Sequence, residues 1–258
     1  MTFHTVFSAE AGNATSSWQA ELLAWSFHRA GEPGPLTMLC SGGDVRVPGC
    51  ETFATQRWNN LDGDNYPPFN KPLALQDWLS KGGPKCDTVL IVDPDCLWFG
   101  TPLAEWLGVI DIELPPRTAL VQSWDYHGGL QGFCKAVKDP LVIPVGIPLL
   151  IRVDDLRALV PWWIRHTRWI RHTHTMQDPF WNAEMGGYML GAAEIGLHQE
   201  LMRIDCGPIL HYYSWRPCID GWQKYSYQPW SRLEVTGPPA RRSLALLINE
   251  YADQRGAG

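Results

Sequence analysis

Short apolar runs alternate with stretches of helical periodicity along the first part of the chain. The segment "FHTVFSAEAG" predicts a strand that runs into a loop of small residues. The next segment, "SSWQAELLAWSFHRAG", predicts a helix that Ser16 or Ser17 caps and that Gly31 ends. After a Gly/Pro loop, "LTMLCSG" predicts a second strand. Strand, helix and strand in this order predict a βαβ unit with two parallel strands and a right-handed crossover.

The same two kinds of pattern continue. A helix is predicted from about Pro72 to Ser80, and "DTVLIVDPD" has the continuous apolar character of a strand buried on both faces of an α/β sheet. A further apolar strand precedes a helix that Asp154 or Asp155 is predicted to cap. "MGGYMLGAAEIGLHQ" predicts a glycine-hinged helix or a strand-helix piece, and "GPILHYYSW" predicts a late strand. The pattern therefore predicts one α/β domain over residues 1–235, followed by an amphipathic helix in a tail over residues 236–258.

Composition narrows the class of protein. Lysine and arginine number 21 against 27 acidic residues, so the net charge of −6 does not favour a polyanionic partner overall. The 7 cysteines show no zinc-ligand spacing, and their odd number indicates a reduced, intracellular protein. No signal peptide and no membrane-spanning run of apolar residues is visible, so we expect a cytoplasmic protein without a membrane partner. The 14 tryptophans suit a core, or flat surfaces on which sugars or bases stack.

Two carboxylates end the buried strand in "VLIVDPD". Ligands of open α/β sheets bind beyond the carboxyl ends of the strands, where Asp93 and Asp95 lie. Side chains two positions apart in an extended segment point the same way, and like charges that close together need a cation between them. Carboxylate oxygens suit Mg²⁺ or Mn²⁺, ions that commonly also hold substrate phosphates. The D-x-D pattern therefore predicts a nucleoside diphosphate held through a metal, with an acidic turn as the alternative.

Other stretches supply partners for this pair. Lys71 lies at the start of a predicted helix, where its charge and the helix amides both favour phosphate. His211 ends a strand and is a candidate nitrogen ligand for the metal, while Lys224 can contact a diphosphate. The glycines Gly186, Gly187 and Gly191 indicate close packing, because no phosphate-binding loop pattern surrounds them.

Several stretches together resemble one known family. "HTVFSAEAG", "YPPFNKPLALQDWL", "VLIVDPD", "IRVDDLRALVPWWI", "EMGGYMLGAAEIGL" and "LHYYSW…GWQKYSY" are similar, in this order, to the hydroxyproline O-arabinosyltransferase and peptidyl-serine α-galactosyltransferase group. That group consists of metal-dependent GT-A glycosyltransferases. The resemblance implies a Rossmann-like, mixed and mostly parallel sheet flanked by helices. It also implies a UDP-sugar donor, with arabinose or galactose favoured, a Mn²⁺ or Mg²⁺ cofactor, a hydroxyl acceptor, and transfer with retention.

The resemblance also implies roles at matching positions. Asp93, Asp95 and His211 would bind the metal, and Asp93 would also face the donor. Lys224 would contact the diphosphate.

Further positions would contact the nucleoside and the sugar. Ser8 and Glu10 would lie against the nucleoside, with Asn70 and Lys71 nearby. Glu184, in "EMGGY", would face the donor sugar as the catalytic carboxylate, and a structural carboxylate is the alternative. Glu194 is a second candidate for the functional role.

The stretch "WWIRHTRWIRHTHT", residues 162–175, admits two interpretations. It predicts either a surface helix with partly buried Trp162, Ile164, Trp169 and Ile170 and solvated basic groups, or a basic aromatic face for a polyanion, bases or sugars. Residues 111–145 do not match the family, so the acceptor stays open among a peptide, a hydroxylated nucleobase in DNA and a small molecule. Two rival functions remain: a metal-dependent nucleotidyltransferase or phosphohydrolase, and a nucleic-acid-binding module with an inactive sugar site.

Overall fold

A computed structural model describes residues 2–58, 60–61, 63–107, 113–124, 128–173, 182–202, 208–212, 231–235 and 239–256. The strands are β1 His4–Glu10, β2 Leu36–Ser41, β3 Glu51–Thr55, β4 Asn60–Leu61, β5 Asp64–Asn65, β6 Thr88–Val92, β7 Cys96–Trp98, β8 Thr118–Ser123, β9 Val145–Arg152, β10 His198–Met202 and β11 Ile209–His211. The helices are α1 Ala14–Arg29, α2 Asn70–Lys81, α3 Leu103–Trp106, α4 Gly128–Val137, α5 Val153–Thr173, α6 Ala183–Glu194 and α7 Pro239–Gly256.

A seven-stranded sheet with the order β10-β8-β9-β6-β1-β2-β3 forms the centre of the molecule. Strand β9 runs antiparallel to both of its neighbours, and the other pairs are parallel. All five residues of β6 are buried, as their continuous apolar run predicts. The predicted mixed, mostly parallel sheet and the parallel β1–α1–β2 unit are therefore confirmed.

The sheet directs several strand ends to one edge. In the β1–β6 ladder Phe7 pairs with Val92, so Ser8 and Asp93 follow side by side at the carboxyl ends of their strands. Strand β8 runs in the same direction as β6, because β9 is antiparallel to both, and Trp124 follows its end. This edge is where an α/β sheet binds ligands.

Helix starts differ from those predicted. Helix α1 is capped by Asn13, whose Oδ1 accepts a hydrogen bond from the Ser16 amide at 3.1 Å, so the prediction of a Ser16 or Ser17 cap is wrong. Asparagine is as favourable a cap as serine, and it comes first in the chain. The predicted aspartate cap of α5 is also wrong, because the helix already begins at Val153 and both aspartates lie in its first turn. Asp155 instead accepts a hydrogen bond from the Arg117 amide at 2.9 Å.

Helices α5 and α6 pack closely through glycines. A Cβ on Gly187 would lie 2.1 Å from Thr167 Oγ1 and 2.8 Å from the Trp163 carbonyl oxygen. A Cβ on Gly191 would lie 3.0 Å from the Trp163 amide nitrogen. The prediction that these glycines serve close packing is therefore confirmed. Their absence of side chains brings the helix that carries Glu184 directly against α5.

Helix α7 packs on α1 at the periphery. Its Leu244 and Ile248 join Trp18 and Leu22 in a small apolar cluster apart from the main core. Within the described part of the chain, each helix is too short or too polar to cross a membrane.

Candidate active site

Three potential metal ligands converge at the end of β6. Asp93 and Asp95 lie in the turn between β6 and β7, and β11 pairs antiparallel with β7 so that His211 stands opposite Cys96. Ligand atoms of the two carboxylates and the imidazole all lie within 4.8 Å of one another. His211 Nε2 is 3.1 Å from Asp95 Oδ1 and 3.7 Å from Asp93 Oδ2. The predicted ligands are thus brought together by a two-stranded ribbon outside the main sheet.

The donor set fits a divalent cation. Two carboxylates on one turn repel each other unless a positive charge lies between them. Carboxylate oxygens suit Mg²⁺ and Mn²⁺, and an imidazole nitrogen is a common further ligand of divalent transition metals, so the set fits a divalent cation. The Trp124 ring lies against the His211 ring at a centroid distance of 5.5 Å and limits how the imidazole can turn.

Lys71 joins the D-x-D pair to Glu184. Its Nζ lies 2.6 Å from Asp93 Oδ1 and 3.3 Å from Glu184 Oε2. The lysine comes from the first turn of α2 and its side chain is only 12% exposed. Burial alone would lower the pKa of Lys71, but the two carboxylates outweigh that effect and raise it. Lys71 is therefore a fixed positive charge between two carboxylates.

Glu184 lies in the first turn of α6 with a side chain that is 5% exposed. Burial raises the pKa of Glu184 to about 7, against the opposing effect of Lys71. Its Oε1 atom is buried and has no hydrogen-bond partner among the described residues. Burying such an atom is unfavourable unless a ligand or water donates a hydrogen bond to it. Glu184 Oε1 is therefore available as a hydrogen-bond acceptor for a ligand beside Asp93 and Lys71.

Side chains that sequence analysis missed hold Glu184. The Tyr66 hydroxyl accepts a hydrogen bond from the Glu184 amide at 2.9 Å, and the Trp163 indole donates one to the Glu184 carbonyl oxygen at 2.8 Å. Both side chains are buried. Neither contact follows a local sequence pattern, since the partners are far apart along the chain.

The residues expected near the nucleoside lie on two neighbouring elements. Ser8 is in β1 beside Asp93, and Glu10 ends the same strand. Arg57, which sequence analysis also missed, lies with its Nε 3.1 Å from Glu10 Oε1 and donates to the Ala11 carbonyl oxygen. Asn70 is buried at the start of α2, where its Oδ1 accepts a hydrogen bond from the Trp58 amide at 2.8 Å. Asn70 thus fixes the chain near Lys71.

Of the two other candidates, only Glu194 can be compared with this arrangement, and it lies away from it. Lys224 lies outside the described residues. Glu194 ends α6, ten positions after Glu184, and its Oε1 is 3.4 Å from His166 Nε2 on α5. At 1.5 Å per residue the two glutamates are about 15 Å apart along the helix, so of the two glutamates only Glu184 contacts Lys71.

The basic aromatic stretch forms the second half of α5, and residues 174–175 lie outside the described part. Trp162 is half-buried and Ile164 and Ile170 are buried, as the surface-helix interpretation requires, whereas Trp169 is 48% exposed and not partly buried as predicted. The expectation that the basic groups of this helix are solvated is wrong for Arg171. That guanidinium pairs with both carboxylate oxygens of Asp64 at 2.6 Å and lies 4.3 Å from the centroid of the Tyr66 ring. Arg171 is therefore occupied within the protein.

Comparison with known sequences gives relatives at modest identity. No protein-family profile matches the chain. A peptidyl serine α-galactosyltransferase of Arabidopsis thaliana is 31% identical over 252 residues, which cover 85% of this chain and 31% of the relative. A protein of the same name from Chlamydomonas reinhardtii is 26% identical, and the match covers 69% of this chain and 28% of that relative. Hydroxyproline O-arabinosyltransferase 1 of Arabidopsis thaliana is 23% identical, and the match covers 81% of this chain and 63% of that relative. The chain thus spans less than two thirds of each relative.

Solved structures share the fold. The galactosyltransferase LgtC, in complex with donor and acceptor sugar analogs, has a TM-score of 0.56 at 13% identity and covers 98% of this chain and 96% of that one. The glycosyltransferase GlyE of Streptococcus pneumoniae has a TM-score of 0.53 at 13% identity, and the match covers 99% of this chain and 64% of GlyE. The chain therefore has the GT-A glycosyltransferase fold, and its predicted resemblance to peptidyl serine α-galactosyltransferases and hydroxyproline O-arabinosyltransferases is confirmed.

Proposed function

We propose that this protein is a divalent-metal-dependent glycosyltransferase that moves a galactosyl or arabinosyl group from a UDP-sugar to a hydroxyl acceptor with retention. The observation that carries the proposal is the continuous arrangement of Asp95, His211, Asp93, Lys71 and Glu184 at the carboxyl edge of a GT-A sheet. It places a candidate cation site and a buried carboxylate on either side of one lysine. The sequence relatives are named as α-galactosyltransferases and an arabinosyltransferase, which favours galactose or arabinose as the transferred sugar.

The metal-binding end would serve the leaving group. Asp93, Asp95 and His211 would hold the cation, which, when bound, would supply positive charge to the diphosphate as the glycosidic bond breaks. Lys71 would hold the Asp93 carboxylate in place through the 2.6 Å contact. We propose that Lys224 contributes a further positive charge to the diphosphate, and that Ser8, Glu10 and Asn70 line the nucleoside end.

Glu184 would act at the sugar. In retaining transfer, a carboxylate beside the anomeric carbon would either attack it or stabilise the oxocarbenium character of the transition state. The buried Oε1 of Glu184, which no described residue hydrogen-bonds, is suited to this task, while Oε2 is held by Lys71. The lysine would favour the ionised form that either route requires.

The acceptor is proposed to be a hydroxyl on a peptide, by analogy with the named relatives. The alternative acceptor, a hydroxylated base in DNA, depends on the basic face of α5. Its Arg171 is already paired with Asp64, and Arg165 lies 5.1 Å from the centroid of the Trp162 ring. The pair with Asp64 neutralises Arg171 and so reduces the charge that this helix offers to a polyanion, which makes the peptide hydroxyl the better candidate.

Metal-dependent release of UDP from a panel of UDP-sugars tests the proposal without knowledge of the acceptor. We expect the wild-type protein to hydrolyse one UDP-sugar slowly with Mn²⁺, and Asp95→Ala and His211→Ala to lose that activity and Mn²⁺ binding together. Matched controls lie away from the site: Asp154→Ala, at the opposite edge of the sheet, and His198→Ala, with a side chain 71% exposed on β10. Both controls should retain wild-type turnover.

Other products would contradict the proposal. Release of phosphate or pyrophosphate in place of intact UDP would indicate a phosphohydrolase or nucleotidyltransferase on the same D-x-D turn. DNA binding with a steep dependence on salt, without turnover or binding of any UDP-sugar, would favour the nucleic-acid-binding alternative.

A further inference from the structure

We infer that Tyr66, held in place by Arg171 and Asp64, is a positioning residue that fixes the backbone of Glu184 and thereby directs its carboxylate. This inference rests on the proposed function, since it assumes that Glu184 acts on the donor sugar. It assigns a role to Arg171 within the basic stretch of α5, which the proposed chemistry does not otherwise use.

The first turn of α6 requires an external hydrogen-bond acceptor. The first four amide groups of a helix have no partner within the helix, and a side chain at the N-cap usually satisfies one of them. Asn182, at the N-cap of α6, makes no such hydrogen bond with its side chain. The Tyr66 hydroxyl takes that place for the Glu184 amide at 2.9 Å, from a position 118 residues earlier in the chain.

A second contact fixes the other side of the same residue. The Trp163 indole donates to the Glu184 carbonyl oxygen at 2.8 Å, and α5 reaches this distance because Gly187 has no side chain between the helices. The two main-chain polar groups of Glu184 are therefore held by side chains from two other elements. The carboxylate, 3.3 Å from Lys71, has little freedom left.

Tyr66 is itself fixed from the opposite side. Arg171 lies over its ring, with the guanidinium carbon 4.3 Å from the centroid, and makes two hydrogen bonds of 2.6 Å with Asp64. Asp64 belongs to β5, directly before Tyr66, and its carbonyl oxygen accepts from the Tyr66 amide at 3.1 Å. A bidentate arginine–carboxylate pair has a rigid geometry, which a lysine in the same place does not reproduce. The pair therefore locks the orientation of the ring whose hydroxyl meets Glu184.

The test compares two tyrosines whose hydroxyls are both buried near α6. Tyr66→Phe removes only the hydroxyl that meets Glu184, and Tyr188→Phe removes a buried hydroxyl on α6 that has no hydrogen-bond partner among the described residues. For UDP-sugar hydrolysis we expect Tyr66→Phe to lower kcat by about 10- to 100-fold, the scale of a small misplacement of a catalytic group, with little change in KM. Tyr188→Phe should match the wild type. Equal kcat values for the wild type and Tyr66→Phe would overturn the inference.

Two arginine-to-lysine substitutions on α5 extend the test to Arg171. Arg171→Lys keeps the charge but loses the bidentate contact, whereas Arg165→Lys changes an exposed cation on the same helix. We expect kcat to fall in Arg171→Lys and to stay unchanged in Arg165→Lys. Equal losses in both variants would indicate a general effect of α5 and would contradict the positioning role.

Hydrogen exchange provides a measurement that is independent of turnover. Amides in the first turn of α6 should exchange faster in Tyr66→Phe than in the wild type or Tyr188→Phe, and the change there should exceed that of amides in the central sheet, because the lost acceptor is local to this turn. If the wild type acts on no UDP-sugar, the proposed function fails, but the exchange measurement still tests whether Tyr66 fixes the backbone of Glu184. Faster exchange confined to Tyr66→Phe supports the claim, and unchanged exchange overturns it.

Discussion

Replacing Gly187 with alanine should separate α6, which carries Glu184, from α5, which carries Trp163. The new Cβ would lie 2.1 Å from Thr167 Oγ1, 2.7 Å from the Thr167 amide nitrogen and 2.8 Å from the Trp163 carbonyl oxygen. The side-chain oxygen can rotate away, but the two backbone atoms move only with α5. To restore an ordinary contact of 3.4 Å, the Thr167 nitrogen must retreat by about 0.7 Å, the difference between 3.4 and 2.7 Å.

The magnitude follows from two opposing effects. Forcing an extra methyl group into a close-packed interface costs about 3 kcal/mol at the upper end of its usual range. Alanine gains about 1 kcal/mol over glycine in a helix interior, so the expected net loss in the free energy of unfolding is about 2 kcal/mol. For a domain of this size that loss lowers Tm by about 4 to 8 °C.

Gly132→Ala is the matched control. Gly132 lies inside α4, and a Cβ added there would meet nothing within 4 Å. The same substitution should therefore raise the free energy of unfolding by about 0.4 to 1 kcal/mol. Thermal and urea unfolding, followed by circular dichroism, measure both variants. If Gly187→Ala proved as stable as Gly132→Ala, the assignment of the glycines to helix packing would be refuted.

Two further predictions concern protons. His4 is buried, with Nδ1 accepting from the Lys85 amide at 3.0 Å and Nε2 lying 2.7 Å from Thr37 Oγ1, and burial lowers its pKa from 6.5 to about 4. Because the unfolded chain binds that proton more readily, the free energy of unfolding should fall by about 3 kcal/mol as the pH decreases from 6.5 to 4. Urea unfolding at a series of pH values should show a weaker dependence of this free energy on pH in His4→Gln than in the wild type. The control His198→Gln should keep the wild-type dependence. Under the proposed function, Glu184 must be ionised, so its pKa of about 7 predicts that kcat/KM falls below neutral pH. Removing the Lys71 charge in Lys71→Met should move that limb to higher pH, and an unchanged limb would exclude Glu184 as the titrating group.

The fold was largely predictable because its signals are local. The buried strand before Asp93 is a continuous apolar run, and the parallel β1–α1–β2 unit follows from short alternating elements. Helix starts were less accurate, because Asn13 and the two nearby serines are comparable caps.

The site was predictable only in part, because its remaining contacts join distant segments. Nothing near Arg171 indicates a pair with Asp64, and nothing near Tyr66 indicates a hydrogen bond to Glu184. Lys71 was expected to meet a phosphate, but contact with both Asp93 and Glu184 depends on how α2 and α6 meet at the sheet edge.

The β7–β11 ribbon also determines when the candidate metal site can form during synthesis. Asp93 and Asp95 precede β7, whereas His211 ends β11, and the Tyr212 amide donates to the Asp95 carbonyl oxygen at 2.9 Å. A nascent chain that has not yet exposed residue 212 can already form the parallel core of the sheet, but it has only the acidic pair and not the imidazole. High-affinity Mn²⁺ binding would then report that the ribbon has closed, which makes it a probe of late folding that requires no substrate.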